Sequence, residues 1–230
     1  MRYREFALED RDLIQTQQPA TVKPTFLQKL FRSTDTAEKR WIGGLPIGQS
    51  IGHGLESVVF DHSQDPALVV KVERKFTDPK NNAYYQYVRA IQPLMSSNHY
   101  LPRIYVADSF KKPEGTRFVY TMERLHDAYA AVAHIHPDTF NSFVNRIFVD
   151  PPDFPKVRGE YGIWSIMIKS IAAAAKQGDY TNIRDRKLIQ ACQLITKLNQ
   201  GLDLHGGNFM IRYTSVGAQM VITDPVVGSG

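Results

Sequence analysis

Residue types that favour strands and residue types that favour helices occupy different halves of this chain. That segregation narrows its fold more than any other feature. From Leu45 to Met122, β-branched and aromatic runs are separated by turn residues: Leu45–Phe60 with Gly52 and Gly54, Ala67–Val72, Leu101–Ala107 and Arg117–Met122. Among them Asn81–Ile91 has helical periodicity, with Ala83, Tyr84, Tyr87, Val88 and Ile91 on one face. From His136 the pattern turns helical. Its spacing predicts a helix over His136–Val149 with Pro137 in the first turn, broken by the Pro-rich stretch Asp150–Pro155. A second helix is expected over Tyr161–Lys176, with Ile163, Ile166, Met167, Ser170 and Ile171 inward. A third is expected over Arg184–Asn199, with Leu188, Ala191, Cys192, Ile195 and Leu198 inward and Gly201 as its stop. Strands first and helices afterwards predict an α+β fold in two lobes.

The expected divisions follow from these patterns. Residues 1–41 read as an N-terminal arm with a short amphipathic helix at Thr25–Phe31; 42–122 as an antiparallel sheet lobe with one helix; 123–127 as a hinge; and 128–230 as a minimal helical lobe. At 230 residues, 43% hydrophobic and 22% charged, the chain has the make-up of a soluble globular protein. No apolar run approaches the roughly 18 to 20 residues that span a bilayer, and Met1-Arg-Tyr-Arg-Glu does not open a signal peptide. The single cysteine, Cys192, excludes an internal disulfide and a thiolate metal cluster, so a cytoplasmic setting is expected. Cys192 itself reads as core. The net charge of +5 is mild and dispersed. It suits an acidic partner or the phosphates of ATP better than a nucleic acid.

The chemistry concentrates near the C-terminus. In Gly201–Ile211, Asp203 and Asn208 stand five residues apart across Gly206-Gly207. Sixteen residues past the asparagine, the short apolar strand Met220–Ile222 ends in Thr223-Asp224-Pro225. One carboxylate can hold a hydroxyl group, while an asparagine and a second aspartate can share a divalent cation. That is the polar end of a phosphoryl-transfer site, and protein kinases use Asp-x-x-x-x-Asn followed by a metal-binding Asp. Upstream, Gly52-His53-Gly54, Ser57 and Val59 fit a Gly-rich hairpin whose backbone N–H groups approach phosphates while the valine packs on adenine. Lys71 lies nineteen residues past Gly52 in the apolar run Val69–Val72. A lysine there is costly without an anionic partner, and the α/β-phosphates would supply one. Thr121–Leu125 reads as a hinge, with Met122 closing the pocket and the backbones of Glu123 and Leu125 reading the adenine edge. Each feature has a bland alternative: a simple turn, an edge-strand lysine, a chance pentapeptide. Their order and spacing together favour the nucleotide site.

With these motifs the chain resembles the protein-kinase-like superfamily, and more narrowly the early serine/threonine protein kinases of short-tailed autographivirus phages. The resemblance rests on Gly52-x-Gly54, Val69-Val-Lys-Val72, Asp203-Leu-His-Gly-Gly-Asn208 and Ile222-Thr-Asp-Pro-Val226, and covers about residues 45–227. It implies an ATP- and Mg²⁺-dependent kinase acting on host proteins in the bacterial cytoplasm. Asp203 would orient the attacking hydroxyl, Asn208 and Asp224 would bind Mg²⁺, and Lys71 would hold the α/β-phosphates. His205 sits where many protein kinases carry a lysine that touches the γ-phosphate; a structural turn histidine is the equal alternative.

The chain also departs from the family pattern. The helix after Lys71 offers no inward glutamate, and Glu73 lies too close along the strand to substitute for it. Gly201-Leu202 replace the His-Arg before the aspartate, which argues against control by a phosphorylated activation loop. Pro225-Val226 replace Phe-Gly, and no activation segment follows before Gly230. Two rival functions stay open: a small-molecule phosphotransferase of the aminoglycoside or sugar kind, and a catalytically inactive kinase-like protein that binds and blocks a host enzyme. His134 and His136 read as surface or capping residues rather than a metal pair. A metal-hydrolase cluster of Asp203, His205 and Asp224 leaves Gly52, Gly54 and Lys71 unexplained. The Tyr84, Tyr85, Tyr87 cluster reads as packing surface.

Overall fold

The computed structural model describes residues 36–54, 56–132, 137–151, 160–198, 201–215 and 217–227. The expected helix at Thr25–Phe31, His134 and His136, Asn199, and the 152–155 part of the Pro-rich break lie outside the described residues. The fold is mixed α+β, as the segregation of residue types predicts. It divides into two compact units, Met1–Pro79 with Ile104–Arg124, and Lys80–Arg103 with Leu125–Gly230.

The first unit is a five-stranded antiparallel sheet of β1 (Ile47–His53), β2 (Ser57–His62), β3 (Leu68–Glu73), β4 (Ile104–Lys112) and β5 (Gly115–Glu123), in the order β1-β2-β3-β5-β4. Strand alternation sends Val58, Phe60, Val70, Val72 and Val119 to one face. There they pack with Ile42 and Ile47, and Trp41 and Leu45 close the cluster. Trp41 and Ile42 belong to α1 (Thr36–Gly44). Residues 36–41, expected in the arm, therefore form a helix that covers the sheet. The sequence pattern hides it because the helix presents few apolar residues and uses a carboxylate as an inward group. Glu38 is 1% exposed and sits 2.6 Å from both Arg117 Nη1 and Lys112 Nζ. The Arg117 guanidinium and the Lys112 ammonium also lie over the Phe76 ring, at 4.5 and 4.8 Å from its centroid. The β4–β5 turn needs Gly115: its φ is +146°, and a Cβ there would stand 2.9 Å from the Thr77 amide nitrogen.

The second unit holds α2 (Ala83–Ile91), α3 (Ala128–Val132), α4 (Pro137–Ile147), α5 (Glu160–Gln177) and α6 (Arg186–Thr196). It also has a three-stranded sheet in the order β6-β8-β9, from β6 (His126–Asp127), β8 (Phe209–Thr214) and β9 (Gly217–Ile222). A two-residue ladder pairs β7 (Gly201–Leu202) with β10 (Val226–Val227). Helix α2 begins at Asn82, whose side chain accepts from the Tyr85 amide, and it buries the expected face of Ala83, Tyr84, Tyr87, Val88 and Ile91. The sequence reading grouped this helix with the strands. Its buried face instead packs within the second unit, against α6 and β10.

Helix α6 buries Leu188, Ala191, Cys192 and Ile195 as expected. Burial pushes the Cys192 thiol up to about 12, as befits a core residue. In α5, Met167 and Ile171 point inward as expected, but Trp164 and Ile168 complete the face while Ile163, Ile166 and Ser170 are half-buried. The helix is apolar nearly all round, so periodicity alone did not fix its rotation. Gly201, expected as a helix stop, is the first residue of β7. Among the described residues no helix is long and apolar enough to cross a membrane.

Candidate functional site

Asp203, His205, Asn208 and Asp224 are brought together by backbone bonds rather than by side-chain packing. The β7–β10 ladder pairs Leu202 with Val226, and the Asp203 N–H donates to the Pro225 carbonyl at 2.8 Å. The loop between β7 and β8 then folds on itself. The His205 amide donates to the Asp203 carbonyl, the Asn208 amide to the His205 carbonyl, and Gly206–Asn208 form a single 3₁₀ turn. On the far side, the Thr223 N–H donates to the Asn208 carbonyl at 2.9 Å. Asp203 and Asp224 thus lie on two chain segments stitched on both sides of the polar residues.

Side-chain orientation is equally constrained. The Asn208 Nδ2 donates to the Asp203 carbonyl at 2.6 Å, which fixes the carboxamide so that Oδ1 is its outward end. The Gly207 N–H donates to His205 Nδ1 at 3.1 Å, so the neutral imidazole carries its proton on Nε2. That nitrogen stands 3.5 Å from Asp203 Oδ1 and can orient the carboxylate; its 3.2 Å approach to Asn208 Nδ2 is then a contact between two donors. Gly206 has a packing reason: a Cβ there would stand 2.9 Å from Tyr129 Cζ and closer still to its hydroxyl.

The strand leading to Asp224 is held from outside the sheet. In register Ile222 faces Phe209, and the Thr223–Asn208 bond makes theirs a non-hydrogen-bonded pair, so the Ile222 N–H and C=O turn away from β8. The N–H donates to the Tyr100 carbonyl, and the C=O accepts from the Tyr87 hydroxyl, both at 2.8 Å. Tyr87 is fully buried, and burial together with the Asp224 charge raises its pKa well above the ordinary phenol value, so it remains a donor. The segment carrying Tyr100 is clamped in turn. Arg212 donates to the carbonyls of His99 and Leu101, and Asn98 Nδ2 donates to Lys187 O of α6. Sequence reasoning missed Tyr87, Tyr100 and Arg212 as supports of the site. Their contacts are to backbone atoms 111 to 135 residues away, and no spacing or residue type signals that.

In the first unit, the expected nucleotide residues share one face of the sheet, opposite the α1-covered core. Val59 pairs with Lys71 and with Gly52, Lys71 with Tyr120, and Val69 with Met122, so Gly52, Val59, Lys71, Tyr120 and Met122 lie on one side. Ser57 and Glu73 continue that face, and Lys71, Glu73 and Met122 are buried. The hairpin tip closes through the Gly54 N–H donating to the Ser57 carbonyl at 2.9 Å. Neither glycine is demanded by the fold. Their φ angles lie outside the left-handed region, and an added Cβ would meet Val59 Cβ at 3.7 Å or Ser57 O at 3.6 Å.

At the end of β5, the Arg124 N–H donates to Ala67 O, which makes Glu123–Leu68 a non-hydrogen-bonded pair. The Glu123 N–H and C=O are therefore turned away from β3, toward the edge where β4 begins. Arg124 is latched by bonds to Pro66 O and to the Asp61 carboxylate. Leu125, half-buried, opens the second unit. Helix α2 carries no acidic residue, so a lysine–glutamate pair of the usual kind has no carboxylate there. Glu73 shares the Lys71 face of β3 and accepts from the Tyr120 hydroxyl at 3.3 Å.

Among the described residues no cluster of three or more His, Cys, Asp or Glu could cage a metal by itself. The Asn208 amide oxygen and the Asp224 carboxylate are hard oxygen ligands. They fit Mg²⁺, which keeps several waters and is bound by one or two protein groups plus phosphate oxygens. No protein-family model matches the chain, and no curated protein sequence matches it.

Proposed function

We propose that the chain is an ATP-dependent phosphotransferase of kinase-like fold. Within that class we propose a serine/threonine protein kinase of the kind found in autographivirus phages, acting on host proteins in the bacterial cytoplasm. The observation that carries the reading is the stitching of Asp203, Asn208 and Asp224 by the β7–β10 ladder and the Asp203–Pro225 and Thr223–Asn208 bonds. Phosphoryl transfer asks mainly for positioning and charge neutralisation, and this loop is built to position. The shared sheet face of Gly52, Val59, Lys71 and Met122 supports the nucleotide half of the reading.

Asp203 holds the attacking hydroxyl and takes its proton, with His205 Nε2–H orienting the carboxylate. Asn208 Oδ1 and Asp224 hold Mg²⁺, which when bound neutralises charge on the transferred phosphoryl group. Lys71 holds the α/β-phosphates, the amides around Gly52 and Gly54 approach their oxygens, Val59 and Met122 pack on the adenine, and the Glu123 and Leu125 backbones read its edge.

The test is transfer from γ-labelled ATP with Mg²⁺, using the chain alone and with bacterial lysate, alongside Asp203→Ala and Asp224→Ala. Label on serine or threonine of lysate proteins that vanishes with both variants is the expected result. Consumption of ATP without labelled protein replaces the protein-kinase reading with a small-molecule kinase. ATP neither bound nor consumed leaves a kinase-shaped blocking protein.

A further inference from the structure

Resting on the phosphotransferase reading, we infer that Tyr87 of α2 is a positioning residue for the metal aspartate, acting through the carbonyl of Ile222. Ile222 is the last residue of β9, two residues before Asp224, and among the described residues no strand pairs with its outward backbone groups on that side. The Tyr100 carbonyl and the Tyr87 hydroxyl take that strand's place, each at 2.8 Å. A buried carbonyl must be paired, so the hydroxyl fixes the plane of the peptide joining Ile222 to Thr223. The inward side of the same peptide is fixed by the Thr223–Asn208 bond. One peptide plane therefore carries both supports, and it sets the direction in which the chain leaves for Asp224.

The consequence is a division of labour for α2. It carries no carboxylate to offer a lysine, yet it reaches the metal-binding strand with a fully buried hydroxyl. Deleting that hydroxyl releases the Ile222–Thr223 peptide to rotate, and Asp224 loses its fixed bearing relative to Asn208. Groups that orient metal ligands from behind typically matter by about ten- to a hundredfold in metal affinity.

The experiment is equilibrium Mn²⁺ binding to the full chain in the presence of ADP, read by electron paramagnetic resonance. The parent is compared with Tyr87→Phe, Val88→Ala and Asp224→Ala. Tyr87→Phe is expected to weaken Mn²⁺ by about tenfold or more while leaving metal-free ADP binding unchanged. Val88 is buried in the same helix, so Val88→Ala disturbs packing without touching the Ile222 carbonyl. It is expected to lower thermal stability and leave Mn²⁺ affinity intact. Parent-like Mn²⁺ affinity in Tyr87→Phe, or equal weakening by Val88→Ala, overturns the inference. A parent that binds no Mn²⁺, or an Asp224→Ala variant that binds it normally, overturns the metal assignment itself and is distinguishable from either result. Should Tyr87→Phe not fold, ¹³C-tyrosine spectra of the parent decide. Addition of Mg²⁺ to the ADP-loaded chain shifts the Tyr87 ring signals if the coupling exists, and an unmoved Tyr87 overturns it.

Discussion

Replacing Glu38 by glutamine should destabilise the first unit by about 3 kcal/mol, a value that follows from where its charge sits. The carboxylate is 1% exposed and serves two cations, Arg117 at 3% exposure and Lys112, each at 2.6 Å. Removing one member of a buried ion pair costs about 3–5 kcal/mol, because the remaining charge has left water and lost its counter-ion. Here two cations are left behind, and burial alone already lowers the Arg117 pKa, with Glu38 acting against that. Arg117 keeps its bond to Arg74 O at 2.9 Å and its place over the Phe76 ring, so the loss falls at the lower end of the range. For a chain of this size it corresponds to a fall of about 6–12 °C in the midpoint of the transition that melts α1 and the sheet. Urea and thermal denaturation followed by circular dichroism and Trp41 fluorescence measure it. A combined Glu38→Leu, Lys112→Met, Arg117→Met variant should recover most of the loss, since a buried charge cluster is replaceable by apolar volume more readily than it is broken. A change below about 1 kcal/mol, the scale of an exposed pair, would refute the burial argument.

Further expectations concern single residues. Gly52→Ala and Gly54→Ala should leave stability within about 0.5 kcal/mol of the parent, because an added Cβ meets its neighbours only at ordinary van der Waals distances. The same variants should weaken ATP binding measurably by calorimetry; stable variants with unchanged affinity would remove the glycines from the phosphate site. Gly206→Ala should distort the loop between Asp203 and Asn208, since its Cβ collides with the Tyr129 ring. Activity should then drop more than stability, and Tyr129→Ala in the same chain should restore part of it. Cys192, with its thiol pushed up to about 12, should be only about one part in ten thousand thiolate at pH 8. Alkylation should therefore be negligible in the native chain, rise with pH above neutrality, and become rapid on unfolding; fast native labelling at pH 8 would contradict its burial.

What the sequence disclosed was what period and punctuation encode. The α2 face of Ala83, Tyr84, Tyr87, Val88 and Ile91, the α6 face ending at Ile195, and the Gly52–Gly54 hairpin were legible because burial repeats at helix or strand spacing. Helix α1 was not, because its inward group is the ion-paired Glu38 rather than a third apolar residue. The rotation of α5 was not, because a helix that is apolar nearly all round carries only a weak periodic signal. Nor was the assignment of α2 to the second unit, which depends on Tyr87 meeting a carbonyl 135 residues away. At the candidate site, the residue types of Asp203, Asn208 and Asp224 were readable, whereas the backbone bonds that hold them together were not. A main-chain carbonyl such as that of Pro225 or Ile222 leaves no trace in residue identity.

Calorimetric titration of the chain with ATP, with and without Mg²⁺, tests the nucleotide site most directly when the parent is compared with Lys71→Met and Asp224→Ala. Tight binding by the parent should require Mg²⁺. Lys71→Met should lose affinity in both conditions, and Asp224→Ala should lose only the Mg²⁺-dependent gain. A parent that binds no ATP, or variants that bind Mg-ATP as the parent does, would contradict the phosphotransferase reading at its foundation.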